Sequence, residues 1–169
     1  MDMQNTGSSK LKLIVIIVVI FIVGTAAVSY LMPQVIFFKI FGSKGTFNPV
    51  TNTVNIKDED QQASAGQGAQ LVPDFPSDIP QYPAAKVVFS SSSKNDGIRT
   101  IWLVSGSDQL SKVIDFYKAE MIKNGWAQTE FVDHAVGAQF KYKKDKRTAT
   151  VLVILDPKKD EIAIDAIIQ

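Results

Sequence analysis

His134 is the only histidine in the chain, and it follows Asp133. An imidazole beside a carboxylate is the pairing used for a general base or a metal ligand. Standing alone in a segment with loop character, the pair reads as an exposed turn. Asp156, Asp160, Glu161 and Asp165 crowd toward the last hairpin, where a general acid and a general base would have room to pair. Turn chemistry and a solvated sheet edge account for these residues more simply. The serine run Ser90 to Ser93 lacks the G-x-S-x-G elbow that exposes a nucleophile, and is expected at a strand edge or loop. Asp58-Glu59-Asp60 lacks the spaced oxygen ligands of a calcium loop and reads as a solvated charge run. Cysteine is absent, so there is no disulfide, no thiolate metal site and no thiol to carry a lipid. No catalytic, cofactor-binding or metal-binding residue is therefore assigned, no cofactor is expected, and the chain is not expected to be an enzyme.

The candidate site that remains is a cluster of five cations around an aromatic: Lys141, Lys143, Lys144, Lys146 and Arg147, with Tyr142 among them. At a hairpin tip these are a candidate contact for an anionic surface: lipid headgroups, wall polymer or nucleic acid. The competing reading is that a basic tip serves solubility and edge protection. Across the chain 18 Lys and Arg face 17 Asp and Glu, a net charge of +1. That balance gives no reason to expect a nucleic-acid partner.

The elements that would position these residues divide the chain sharply. The twenty residues Leu13 to Met32 carry no charge, and Lys10 and Lys12 precede them. A helix of that length is about 30 Å long, the thickness of a bilayer's hydrocarbon core. Its aliphatic and aromatic residues contribute on the order of −4 to −8 kcal/mol to insertion. A single transmembrane helix acting as a signal anchor is the expectation. The alternative is a cleaved signal peptide ending near Thr25-Ala26-Ala27, although apolar residues resume at Val35 to Phe41. Lys10 and Lys12 lie close to the apolar edge and favour a cytoplasmic N-terminus with an extracytoplasmic C-terminal domain at the cell membrane. The expected organisation is thus a cytoplasmic segment 1–12, a transmembrane helix 13–32, a juxtamembrane segment 33–41, a flexible linker 42–72 and an extracytoplasmic domain 73–169. The linker assignment rests on the small, polar run from Lys57 to Gly68.

The domain opens with four prolines between Pro73 and Pro83, which impose extended geometry. Phe75, Ile79 and Tyr82 on this arm are expected to dock on the domain's own core rather than serve as a proline-rich ligand. Two β-rich runs, 86–91 and 98–104, flank Asp96-Gly97 and predict a hairpin. Leu110, Val113, Ile114, Tyr117 and Met121 then follow helical spacing, with Ser107 as the expected N-cap, Asp108 complementing the helix dipole and Gly125 as the stop. Strands are predicted at 126–132, 138–143, 148–155 and 161–168. The expected fold class is α+β: an N-terminal transmembrane helix, then a small antiparallel sheet covered by one helix, in the order β-β-α-β-β-β-β.

Two resemblances attach to these motifs. Asp74-Phe75-Pro76-Ser77-Asp78-Ile79-Pro80-Gln81-Tyr82-Pro83-Ala84-Ala85, then Val113 to Lys118 leading to Asn124-Gly125-Trp126, resembles small uncharacterised bacterial envelope domains. These open with P-x-D-[IVL]-P-x-Y-P-G-A and carry F-Y-K…G-W on their helix, commonly behind a membrane anchor. Ala84 stands where their glycine is usual. Asn48-Pro49-Val50-Thr51 and the residues after it resemble the lead-in of membrane-associated zinc metalloproteases. H-E-x-x-H is absent here, and no activity carries over.

These readings converge on a bacterial, single-pass membrane protein of the cell envelope. Its expected partners are the lipid bilayer and a protein of the envelope, and its domain acts in non-catalytic binding or assembly. The alternatives are a structural subunit contacting partners through the transmembrane helix, with Gly24, Ala26, Ala27 and Ser29 as its small-residue face, or a small hydrolase using the acidic cluster.

Overall fold

Alternation of apolar and polar residues shapes most of what the computed structural model describes, residues 45–106 and 108–169. Nine strands form one antiparallel sheet: β1 (Gly45–Asn48), β2 (Thr53–Lys57), β3 (Gln61–Gly66), β4 (Lys86–Ser93), β5 (Arg99–Gly106), β6 (Ala127–His134), β7 (Gly137–Lys144), β8 (Arg147–Asp156) and β9 (Glu161–Ile168). One helix, α1 (Leu110–Lys123), joins β5 to β6. The spatial order is β1-β2-β3-β4-β5-β9-β8-β7-β6. The chain crosses on α1 from β5 to the far edge, returns by three hairpins, and closes β9 against β5.

On β7, Ala138, Phe140 and Tyr142 are buried while Gln139, Lys141 and Lys143 point the other way. Val151 and Val153 of β8 and Ile162 and Ile164 of β9 continue that inner face, onto which α1 turns Val113, Tyr117 and Met121. Full burial of each large apolar side chain contributes roughly 1.5–3 kcal/mol. Two aromatic hydroxyls are placed around this layer. The Tyr142 hydroxyl donates to the Tyr117 carbonyl at 3.2 Å, and burial pushes its pKa up to about 12. Burial drives the Tyr117 phenol still higher, and the Tyr82 main chain, near but not placed for a full hydrogen bond, offsets little of it.

The helix stops where Gly125 takes φ +83°. Trp126 N–H donates to the Met121 carbonyl at 3.0 Å and Gly125 N–H to that of Ile122 at 2.9 Å, a Schellman arrangement. At the other end the structure differs from the sequence reading. The N-cap is Gln109, with no side-chain cap, and no acid lies in the first turn. Asp108 instead accepts a hydrogen bond from the Ser105 hydroxyl at 3.2 Å, and Ser107 lies outside the described residues.

The proline arm packs on the helix side of the sheet. Ile79 is in the core, and Phe75 and Tyr82 pack against it. The Ser90 hydroxyl ties the arm to β4 by donating to the Gln70 carbonyl at 2.6 Å and accepting the Val72 N–H at 3.1 Å.

The expected fold class is corrected in two respects. Residues 45–66, assigned to a flexible linker, form three strands, so the sheet has nine strands and not six. Of the three, β3, made of Gln, Ala, Ser and Gly, has little intrinsic strand preference. What makes it a strand is the hydrogen-bonding edge of β4, which pairs it through Gln61↔Ser93 to Ala65↔Phe89. The second correction concerns the transmembrane and signal-anchor assignment. Among the described residues no helix is long and apolar enough to cross a membrane. α1 has 14 residues and one buried face, and the assignments at 1–12, 13–32 and 33–41 lie outside the described residues.

Candidate functional site

The five cations singled out in the sequence do not form one free patch. Asp78, from the proline arm, receives Arg147 through both carboxylate oxygens, at 3.1 and 2.6 Å, and Lys144 Nζ at 2.8 Å. These cations hold the Asp78 carboxyl down at about 2, against a smaller opposing effect of burial. Lys144 also donates to the Asn124 carbonyl at 2.7 Å, and the Arg147 guanidinium lies 4.9 Å from the Trp126 ring. The indole N–H of Trp126 donates to the Asp78 carbonyl at 3.1 Å. This is a clamp that joins the arm, the helix stop and the β7–β8 hairpin. Lys141 pairs with Glu130 at 2.8 Å across β6 and β7. Lys143 and Lys146 are exposed and, among the described residues, make no ion pair.

The acidic cluster separates as well. Asp156 and Glu161 face each other at the base of the β8–β9 hairpin, where Asp156 accepts the Lys158 N–H at 2.9 Å, and Asp160 occupies the turn with φ +52°. His134 is exposed at the end of β6, opposite Gly137. Asp165 stands apart, four residues along β9 and so roughly 13 Å from Glu161 at 3.3 Å per residue.

The position of Asp165 follows from strand register. Partner residues in neighbouring strands share a face, so Asp165 lies between Trp102 of β5 and Leu152 of β8. Ala163 and Ile167 flank it along β9, and the diagonal positions are Thr100, Val104, Thr150 and Ile154. The carboxyl therefore sits in a ring of apolar side chains relieved by two threonines. This is the sheet face opposite α1 and the proline arm, and among the described residues no helix packs on it. Leu152 is half-buried, and Ile154 and Ile167 remain 37% and 36% exposed.

Among the described residues, one Asp165 carboxyl oxygen is buried without a hydrogen-bond partner. Burial raises the pKa of the group to about 6. In the sequence Asp165 stands with the acids of the last hairpin. The informative signal was its place in Ile162-Ala163-Ile164-Asp165-Ala166-Ile167-Ile168, a charge within a strand apolar on both faces.

A family model described as START domain-like matches residues 86–161, from the start of β4 to the first residue of β9. No curated protein and no solved structure matches the chain.

Proposed function

We propose that residues 45–169 form a non-catalytic binding domain whose ligand lies on the sheet face around Asp165. The observation that carries this reading is the ring itself: half-exposed Leu152, Ile154 and Ile167 surround a carboxyl that lacks a partner for one oxygen. Apolar surface with a few placed polar groups is the usual make-up of a ligand site. The likeness of residues 86–161 to the START domain-like model fits a ligand-binding domain. The opposite face offers no comparable surface, because Val113, Tyr117 and Met121 fill the space over Phe140 and Val151. A binding role also suits the isolation of Asp165. General acid–base chemistry uses a second titratable group, and the ring positions around Asp165 hold threonines, the Trp102 indole and aliphatic side chains.

Titration of the full chain with the neutral fluorophore N-phenyl-1-naphthylamine tests the reading. Saturable binding is expected, weakened at least tenfold by Ile154→Ser with Ile167→Ser while thermal unfolding stays cooperative. Absence of saturable binding, or binding indifferent to both substitutions, would overturn it.

A further inference from the structure

Resting on that reading, we infer that the ligand is an apolar primary amine, whose ammonium group is received by Asp165 and whose hydrocarbon body lies on the neighbouring sheet face. The first reason is the placement of the charge. β9 is paired on both sides, by β5 and β8, along its whole length. Asp is among the residues least suited to such a strand, and an ionised carboxylate without donors is costly wherever water is thinned. The rest of β9 follows packing logic: Ile162, Ile164, Ala166 and Ile168 are all buried on the inner face.

The second reason is what the carboxyl lacks. Two clamps elsewhere in the molecule show how this chain satisfies an acid, since Asp78 takes Arg147 and Lys144, and Glu130 takes Lys141. Among the described residues Asp165 makes no ion pair and its buried oxygen accepts no hydrogen bond, with Trp102 opposite it and Thr100 and Thr150 diagonal to it. A donor from outside would satisfy that oxygen, and an N–H carried on a positive charge does so best, because charge-assisted hydrogen bonds are roughly twice as strong as neutral ones. Anionic ligands are repelled by the same group. A quaternary ammonium brings charge but no N–H.

The third reason is the surface beside it. Leu152 lies one strand away on the same row with Ile154 beside it along β8, and beyond Gln139 of β7 the row ends at the sheet edge on Val132, 36% exposed. At about 4.8 Å per strand, the row from Asp165 to Val132 runs roughly 14 Å, long enough for an alkyl chain to lie across it.

Calorimetric titration of the full chain at pH 7.5 with decylamine, decyltrimethylammonium, decanol and decanoate, each below its micellar concentration, separates the possibilities. Decylamine is expected to bind at least tenfold more tightly than the other three. In Asp165→Asn that preference should disappear, with decylamine binding no more tightly than decanol and near-ultraviolet circular dichroism unchanged. Equal affinity for all four compounds would overturn the amine inference and leave the apolar-face reading standing. Failure of all four to bind saturably would overturn both. A decylamine preference that survives in Asp165→Asn, with near-ultraviolet circular dichroism unchanged, would also overturn the inference by moving the cation elsewhere.

Discussion

At Asp165 burial and ionisation oppose each other, and the direction of that conflict sets a measurable pH dependence. The folded pKa is about 6 against an ordinary 3.8, so the folded state holds its proton more tightly than the unfolded chain. Stability is therefore penalised above pH 6, and the penalty is relieved as pH falls through 6 toward 4. Two pKa units correspond to on the order of 2–3 kcal/mol. Asp165→Asn is expected to raise stability at pH 7.5 by roughly that amount and to flatten the pH 4 to 7 region of the profile. Urea midpoints at pH 5 and 7.5 check this, and a variant that is less stable than wild type at pH 7.5 would contradict it.

At the scale of elements, two glycines distinguish local strain from lost pairing. Gly125 has φ +83°, and a Cβ there would meet only the end of the Lys144 side chain, at 3.5 Å. Gly125→Ala is expected to cost about 1 kcal/mol through backbone conformation alone, lowering the melting temperature without changing the fold. Gly66 has φ +118°, and a Cβ there would come within 2.0 Å of the Asn52 carbonyl oxygen. Gly66→Val cannot keep the Thr53↔Gly66 pairing. Because β1 to β3 hang on β4 at one side of the sheet, the loss should stay local. Hydrogen exchange is expected to rise across residues 45–66 while β8 and β9 remain protected. Equal deprotection of β8 and β9 would show that the nine strands unfold as one unit.

Over the whole molecule, Asp78 and Asp165 act in opposite pH windows. The folded pKa of Asp78 is depressed to about 2, so its stabilising effect is complete above the unfolded value of 3.8 and is lost as pH falls from 4 toward 2. Stability is accordingly expected to rise from pH 7 to about 5 and to decline below about 4, a dome set by two carboxylates on different layers of the fold. Asp78→Ala removes the acid limb and, by releasing Arg147 and Lys144, is expected to cost about 1–2 kcal/mol at pH 7. Trp126 fluorescence during urea unfolding reports it, since the indole is bonded to the Asp78 carbonyl. A profile in which Asp78→Ala keeps the same acid limb would remove this clamp from the account.

Much of this architecture was legible from local periodicity. Val113, Tyr117 and Met121 recur at helical spacing, Gly125 follows the last turn, and Ala138, Phe140 and Tyr142 alternate, so each element announces its buried side through residues close in the chain. Residues 61–66 carry no such signal. Gln61 to Gly66 become a strand only because β4 lends them an edge, a partner lying 24 to 32 positions away in the chain. The cations Lys144 and Arg147 looked available for an outside surface until the fold brought Asp78 to them from 66 and 69 residues away. Asp165 shows the same division. Its charge is visible in the sequence, yet its isolation depends on β5 and β8 arriving on both sides with Trp102 and Leu152 opposite it. Composition and spacing decide what a residue prefers and which face it takes within its own element. Which distant residue completes it, or leaves it incomplete, is decided only when strands from separate parts of the chain settle into register.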